Sequence, residues 1–222
     1  AETGLHKSTV HRLLATMCMR GYVQHDSETS IYRPGMRLCE LSSYIMENMD
    51  VIERARAPME RLSHSTGETV HLVMQEEKDI VYIHKVDSVS SAIRMFSRIG
   101  MRRPLYCTGV GKAILATWAD DEVRTLWRAS NVRPWTPYTI VDEDAFFKEL
   151  AQVRRLGYAM DNEENELGVR CIATAVPDYR GRASYAISIS APLSRMTDER
   201  VASLRIPLMD ARDEIAAAIG GR

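Results

Sequence analysis

The chain has 222 residues, 29 Lys and Arg against 30 Asp and Glu, six His and a formal net charge of −1. This length suits one sizeable domain beside a small one, and an apolar content of 45% is enough to bury a core, which excludes an intrinsically disordered chain. No run of about 18 apolar residues exists, which excludes a membrane-spanning helix. Cys18, Cys39, Cys107 and Cys171 stand far apart, with no C-x-x-C pair and no apolar leader, so a reducing cytoplasm is expected. The abrupt start without Met leads to the expectation that residues precede Ala1.

In chain order, Val10, Leu13, Leu14 and Met17 recur at helical spacing between Ser8 and Arg20, and Gly21 follows as a stop. "YVQHDSETSIYRPG" places Tyr22, Val23, Ile31 and Tyr32 around the polar turn Asp26-Ser27-Glu28-Thr29, which predicts a two-stranded hairpin ended by Pro34-Gly35. Residues 36–50 return to helical spacing through Leu38, Leu41, Tyr44 and Ile45. A helix over Pro58–Ser65, closed by Gly67, opens a larger region. Then "ETVHLVM" and "DIVYIHKV" flank the turn Gln75-Glu76-Glu77-Lys78, and "AIRMFSRI" at 92–99 completes three strands expected to be antiparallel. Helices fit 109–118, 120–129 and 142–155. "YAM", "CIATAVPD" and "ASYAISIS" restore the strand pattern, and an amphipathic helix fits 197–219. This order favours a mixed α/β (α+β) domain with an antiparallel sheet over a parallel βαβ fold.

The basic residues are unevenly spread. Lys7, Arg12, Arg20, Arg33 and Arg37 against Glu2, Asp26 and Glu28 leave +2 in the first 37 residues and −3 in the rest, and His6, His11 and His25 share that head. Helix, hairpin and helix in that order match the back half of a winged helix-turn-helix, with Thr3-Gly4-Leu5 as the turn before the recognition helix. Lys7, Ser8, Thr9, His11 and Arg12 are then expected to face phosphates and base edges of double-stranded DNA, and the hairpin is expected to be a wing bringing His25 or Arg33 near the backbone or minor groove. A merely capped surface helix is the alternative, since Ser and Thr favour N-caps anywhere.

"GLHKSTVHRLLATMCMRGYV" with "YRPGMRLCELS", and far downstream "MDNEENELGVRCIATAVPDYRGRASYAISISAP", resemble the winged helix, linker and C-terminal signature of the IclR family of bacterial transcription regulators. "IVYIHKVDS" and "IRMFSRIGMRRPLYCTGVGKAIL" resemble its KdgR-like branch, the regulators of 2-keto-3-deoxygluconate and related sugar-acid catabolism. The resemblance spans essentially the whole chain. It implies a partial winged helix-turn-helix over 1–35, a linker helix over 36–54 and a GAF-like effector-binding domain over 55–222. It also implies that the family's first helices lie upstream of Ala1, so that the chain as given is expected to bind DNA poorly.

An effector site has candidate parts. "CTGVGKA" starts a helix, so the N–H groups of Gly109, Val110 and Gly111 are candidates to face an anion. It is not a nucleotide P-loop, because Ala113 follows Gly111-Lys112 and Tyr106 stands where the first glycine belongs. Glycines for close helix packing are the alternative. Alternation in "YAISIS" puts Ser188 and Ser190 on one face with Ala186, and Ile187 and Ile189 on the other. The resemblance implies Gly109, Val110, Asp161, Cys171, Ser188 and Ser190 around a small carboxylate.

Glu163, Glu164 and Glu166 read as a solvated acidic loop rather than a metal site, since no histidine lies near them in sequence. Met17, Met19, Met36, Met46 and Met49 are expected at helix interfaces, and Arg102 and Arg103, just before Pro104, either attract an acidic effector or face solvent, with solvent the expectation. The reading is a homodimeric or tetrameric, ligand-responsive repressor of sugar-acid genes, without catalysis, cofactor or metal, on a pseudo-palindromic operator. The alternatives are a keto-acid enzyme using Cys171 or Asp161, and a sensory module without DNA binding.

Overall fold

The computed structural model describes residues 4–88 and 96–220. It divides into two compact units, one ending at Met49 and one beginning at Asp50. In the first, α1 (Lys7–Met19) begins where the His6 side chain accepts from the Ser8 N–H. It ends at Gly21, whose φ of 74° lets the chain turn back so that the Tyr22 N–H reaches the Met17 carbonyl at 2.9 Å. The predicted hairpin follows as β1 (Val23–His25) and β2 (Tyr32–Pro34), paired antiparallel with Gln24 opposite Arg33. Asp26 Oδ1 holds its turn, accepting from the N–H groups of Glu28 and Thr29. Then comes α2 (Arg37–Glu47).

No residue of α1 or α2 is buried, and this corrects the expectation for the methionines. Met17, Met19 and Met36 are exposed, while Met46 and Met49 are only half-buried, because no second layer of this unit covers them among the described residues. The turn expected at Thr3-Gly4-Leu5 falls partly outside the described residues, and Gly4 has a φ of 62°.

The second unit opens with α3 (Asp50–Thr66), eight residues earlier than expected at Pro58. The proline invited a helix start, but Val51, Ile52, Ala55, Met59 and Leu62 form one buried stripe, and its packing carries the helix through the ring. β3 (Thr69–Glu76) and β4 (Asp79–Val86) form the predicted hairpin. Of the third expected strand, residues 92–95 lie outside the described residues and 96–99 are not extended in a sheet. The strand beside β4 is instead β5 (Arg102–Pro104), with Ile80 opposite Arg103.

α4 (Gly109–Leu115), α5 (Asp120–Ala129) and α6 (Glu143–Leu156) come next, then β6 (Ala159–Asn162), β7 (Val169–Pro177), β8 (Ala183–Pro192) and α7 (Asp198–Ala218). The strands form one six-stranded antiparallel sheet in the order β5-β4-β3-β8-β7-β6, as the element order predicted.

Alternation gives the sheet two faces. Val70, Leu72, Ile172, Ile187 and Ile189 are fully buried on one, and α3 and α7 pack against each other and onto β3 and β7. The other face carries Val73, Ile80, Tyr82, Ala173 and Ala186, joined in one core with Val110 and Ile114 of α4, Trp127 of α5 and Phe146 of α6. That second face, with its short side chains, holds the polar groups.

Candidate effector-binding site

Strand register assembles a polar row from four strands. Asp161 lies opposite Cys171, Cys171 opposite Ser190, and Ser190 opposite Thr69. One rung along, Ala173 faces Ser188 and Ser188 faces His71. Directly opposed residues share a face, so the carboxyl, the thiol and both serine hydroxyls lie on the α4 side of the sheet. Gly109 meets them there: a Cβ on it would stand 3.3 Å from both the Asp161 backbone nitrogen and the Ala173 Cβ. All six residues expected around the effector therefore fall in one neighbourhood, with Val110 in the adjoining core.

The polar groups are ordered by hydrogen bonds. His71, buried between the strands, makes contacts from Nδ1 to the hydroxyls of Ser188 at 3.4 Å and Ser190 at 3.2 Å, and from Nε2 to the Ser97 hydroxyl at 2.7 Å. Burial, with the Lys85 charge nearby, lowers its pKa to about 3, so the ring is neutral and serves hydroxyls as both donor and acceptor. Asp161 Oδ1 accepts from the N–H groups of Glu164 at 2.8 Å and Asn165 at 3.4 Å. Burial and the neighbouring Glu164 charge nevertheless raise its pKa to about 7, against the pull of Lys112. Burial also pushes the Cys171 thiol up, so no thiolate forms at neutral pH, and the array lacks an activated nucleophile. Hydroxyls, a protonated thiol, a neutral imidazole and a carboxyl poised near neutrality suit reversible hydrogen bonding to a small oxygen-rich ligand.

Two expectations need correction. The Gly111 N–H is not available to an anion, because it donates to Thr108 Oγ1 at 3.1 Å as the helix N-cap. Gly111 is a packing glycine, since a Cβ there would lie 2.1 Å from the Leu105 carbonyl oxygen. Nor is the acidic loop wholly solvated: Glu164 is buried and accepts from the fully buried Lys112 Nζ at 2.5 Å, and Glu149 takes the same ammonium at 3.0 Å. Burial alone would drive that ammonium's pKa down, but the two carboxylates hold it raised.

Sequence reasoning missed His71 and Lys112. Alternation in "ETVHLVM", which puts His71 beside Thr69 and Val73, was the available signal for the first. The ion pair spans 52 residues and has no local signature. Arg102 is exposed and paired with Glu76 and Asp79, whereas Arg103 is half-buried, its guanidinium 5.1 Å from the Trp135 ring centroid, and so departs from the solvent expected for it.

In the first unit Lys7, Ser8, His11 and Arg12 are exposed on α1 and Thr9 is half-buried. The i, i+4 pairs Lys7–His11 and Ser8–Arg12 share one face.

Comparison with known proteins matches residues 43–217 to "Bacterial transcriptional regulator IclR C-terminal" and residues 1–27 to "IclR helix-turn-helix domain". The HTH-type transcriptional regulator KdgR of Escherichia coli K12 is 42% identical over 97% of this chain and 82% of its own length. XynR of the same organism, also named an HTH-type transcriptional regulator, is 37% identical over 98% and 86%. The crystal structure of the Thermotoga maritima IclR superposes with a TM-score of 0.81 at 30% identity, over 99% of this chain and 88% of that one. These relatives are named as regulators of transcription and not as enzymes, and the helix-turn-helix match sets aside a sensory module without DNA binding. The chain belongs to the IclR family of bacterial transcription regulators, with a DNA-binding helix-turn-helix at its front and the family's effector-binding domain behind it.

Proposed function

We propose that this regulator is a cytoplasmic repressor of sugar-acid or keto-acid catabolic genes that senses a small carboxylate on the polar face of its sheet. Gly109, Val110, Asp161, Cys171, Ser188 and Ser190 surround that ligand, and Lys7, Ser8, Thr9, His11 and Arg12 contact operator DNA. One observation carries the reading: the register that lines up Asp161, Cys171 and Ser190, with Ser188 one rung along and a neutral His71 beneath both serines. These are hydrogen-bonding groups without an activated nucleophile, which fits sensing rather than turnover.

The repressor works as a homodimer or a pair of dimers, so that two recognition helices meet successive major grooves of a pseudo-palindromic site. The linker over 36–54 is two helices in the structure, broken between Glu47 and Asp50, and the first of them, α2, pairs with its twin. Supporting this, Leu38, Leu41, Tyr44 and Ile45 expose apolar surface at helical spacing.

The experiment is calorimetric titration with the acid that most raises the thermal stability of the wild-type protein in a screen of sugar acids and keto acids. Ser190→Leu fills the polar row with an isobutyl group and is expected to abolish binding while the circular dichroism spectrum stays native. An affinity unchanged in this variant would reject the site.

A further inference from the structure

On the same face of the sheet as the polar row, the edge strand β5 brings in a cation. Arg103 is the cross-strand partner of Ile80, so its side chain leaves the sheet on the same side as Val73 and Tyr82. Its positive charge and the Asp161 carboxylate act in opposite senses on the same two buried groups, the Tyr82 phenol and the Cys107 thiol. Tyr82 in turn stacks edge-on with His71, their centroids 5.1 Å apart. Tyr82 and Cys107 therefore sit within electrostatic reach of both Arg103 and Asp161.

The segment after α5 ties these two walls together. Trp135 lies against the Arg103 guanidinium and donates from Nε1 to the Tyr106 hydroxyl at 3.1 Å. Thr136 and Thr139 donate their hydroxyls, each at 2.6 Å, to the carbonyls of Glu163 and Glu164, just beyond Asp161. One segment thus spans from β5 at one edge of the sheet to the loop after β6 at the other.

Arg103 differs from the other cations nearby. Lys112 is held by Glu164 and Glu149, Lys85 by Asp87, and Arg102 by Glu76 and Asp79. Among the described residues no carboxylate pairs with Arg103: Nη1 donates to the Arg102 carbonyl at 3.0 Å, and Nε is buried with no hydrogen-bond partner. A guanidinium N–H withdrawn from water without an acceptor is costly, and the fork of donors matches a carboxylate.

We propose that Arg103 is the specificity-determining residue for the charged end of the effector, its guanidinium taking a carboxylate while Asp161, Ser188 and Ser190 take hydroxyl or keto oxygens on the opposite wall. A single such cation fits a single anionic group, so the effector class is a compact hydroxy or keto monocarboxylate. This rests on the reading of that face as the effector site.

The test is calorimetric titration of the full chain with D-gluconate, 2-keto-3-deoxy-D-gluconate and pyruvate, each beside a neutral control, D-glucitol for the six-carbon acids and acetone for pyruvate. At least one acid is expected to bind and its control not to. Arg103→Gln is expected to weaken that acid by about tenfold or more, with Arg103→Lys between it and the wild type and Ser190→Leu without binding, all with native circular dichroism.

An acid that binds Arg103→Gln as it binds the wild type, yet is lost in Ser190→Leu, overturns the role of Arg103 and leaves the site standing. Loss in Arg103→Gln with Ser190→Leu unaffected overturns the site and, with it, this assignment. A neutral control that binds as tightly as its acid overturns the monocarboxylate class, and failure of every acid to bind the wild type overturns both the assignment and the small-acid reading.

Discussion

At Asp161 two opposing influences meet on one carboxyl. Two backbone N–H groups and the Lys112 charge favour the anion, while burial and Glu164 disfavour it, and the latter win: the pKa rises from 3.8 to about 7. Between those values the folded chain holds a proton that the unfolded chain has released, so this residue costs stability increasingly as pH rises through that window and costs nothing below it. His71 acts in the opposite sense, since its pKa falls from 6.5 to about 3, and its contribution is lost as pH drops below the unfolded value. Asp161→Asn, which keeps an acceptor for the two N–H groups without the charge, is therefore expected to be more stable than the wild type by about 1–3 kcal/mol at about pH 8, and equal to it at about pH 4. Urea denaturation at both pH values measures this, and equal stability at the higher pH would show that the carboxyl is not held above its ordinary range. The serines beside it were legible because "YAISIS" alternates small polar with branched apolar residues. His71 was not, since only the pairing of β3 with β8 sets it opposite Ser188 and within reach of the Ser190 hydroxyl.

Among the elements, α2 tests the assembly. Leu38, Leu41 and Ile45 are 42%, 44% and 59% exposed on one side of an eleven-residue helix, which is more apolar surface than a solitary surface helix of that length has use for. If α2 pairs with its twin as proposed, Leu41→Asp is expected to leave monomers at micromolar concentration without melting the second unit, as read by sedimentation velocity; a sedimentation profile identical to the wild type would remove α2 from the proposed interface. Helices with both period and punctuation were readable in advance, as α6 was, with Asp142 accepting from the Ala145 N–H at its start and Gly157 at its end in the left-handed region with a φ of 78°. Two elements were not. The start of α3 was hidden by Pro58, because a proline is common in the first turn and the buried stripe around it outweighs that local preference. β5 is three residues with two arginines, a strand only because Asp79–Val81 offers it an edge, and no alternation marks it.

For the whole molecule, the two units have different chemistry: an exposed basic helix in the first, and in the second a buried polar row on the same sheet face as a half-buried guanidinium that has no carboxylate partner among the described residues. Regulation requires that the ligand bind the DNA-competent and DNA-incompetent arrangements unequally. A coupling of about 1–3 kcal/mol corresponds to a roughly 5- to 150-fold change in DNA affinity, and the same factor must appear in ligand affinity when DNA is bound. In the proposed regulator, the second unit's ligand therefore governs the first unit's grip on DNA. Fluorescence anisotropy tests this, on the protein carrying the complete helix-turn-helix and an operator selected from random duplexes, by comparing Kd with and without a saturating amount of the acid found by titration. A shift in Kd within that range is expected for the wild type and none for Ser190→Leu. An operator Kd that stays the same in the wild-type protein when its site is saturated would contradict it.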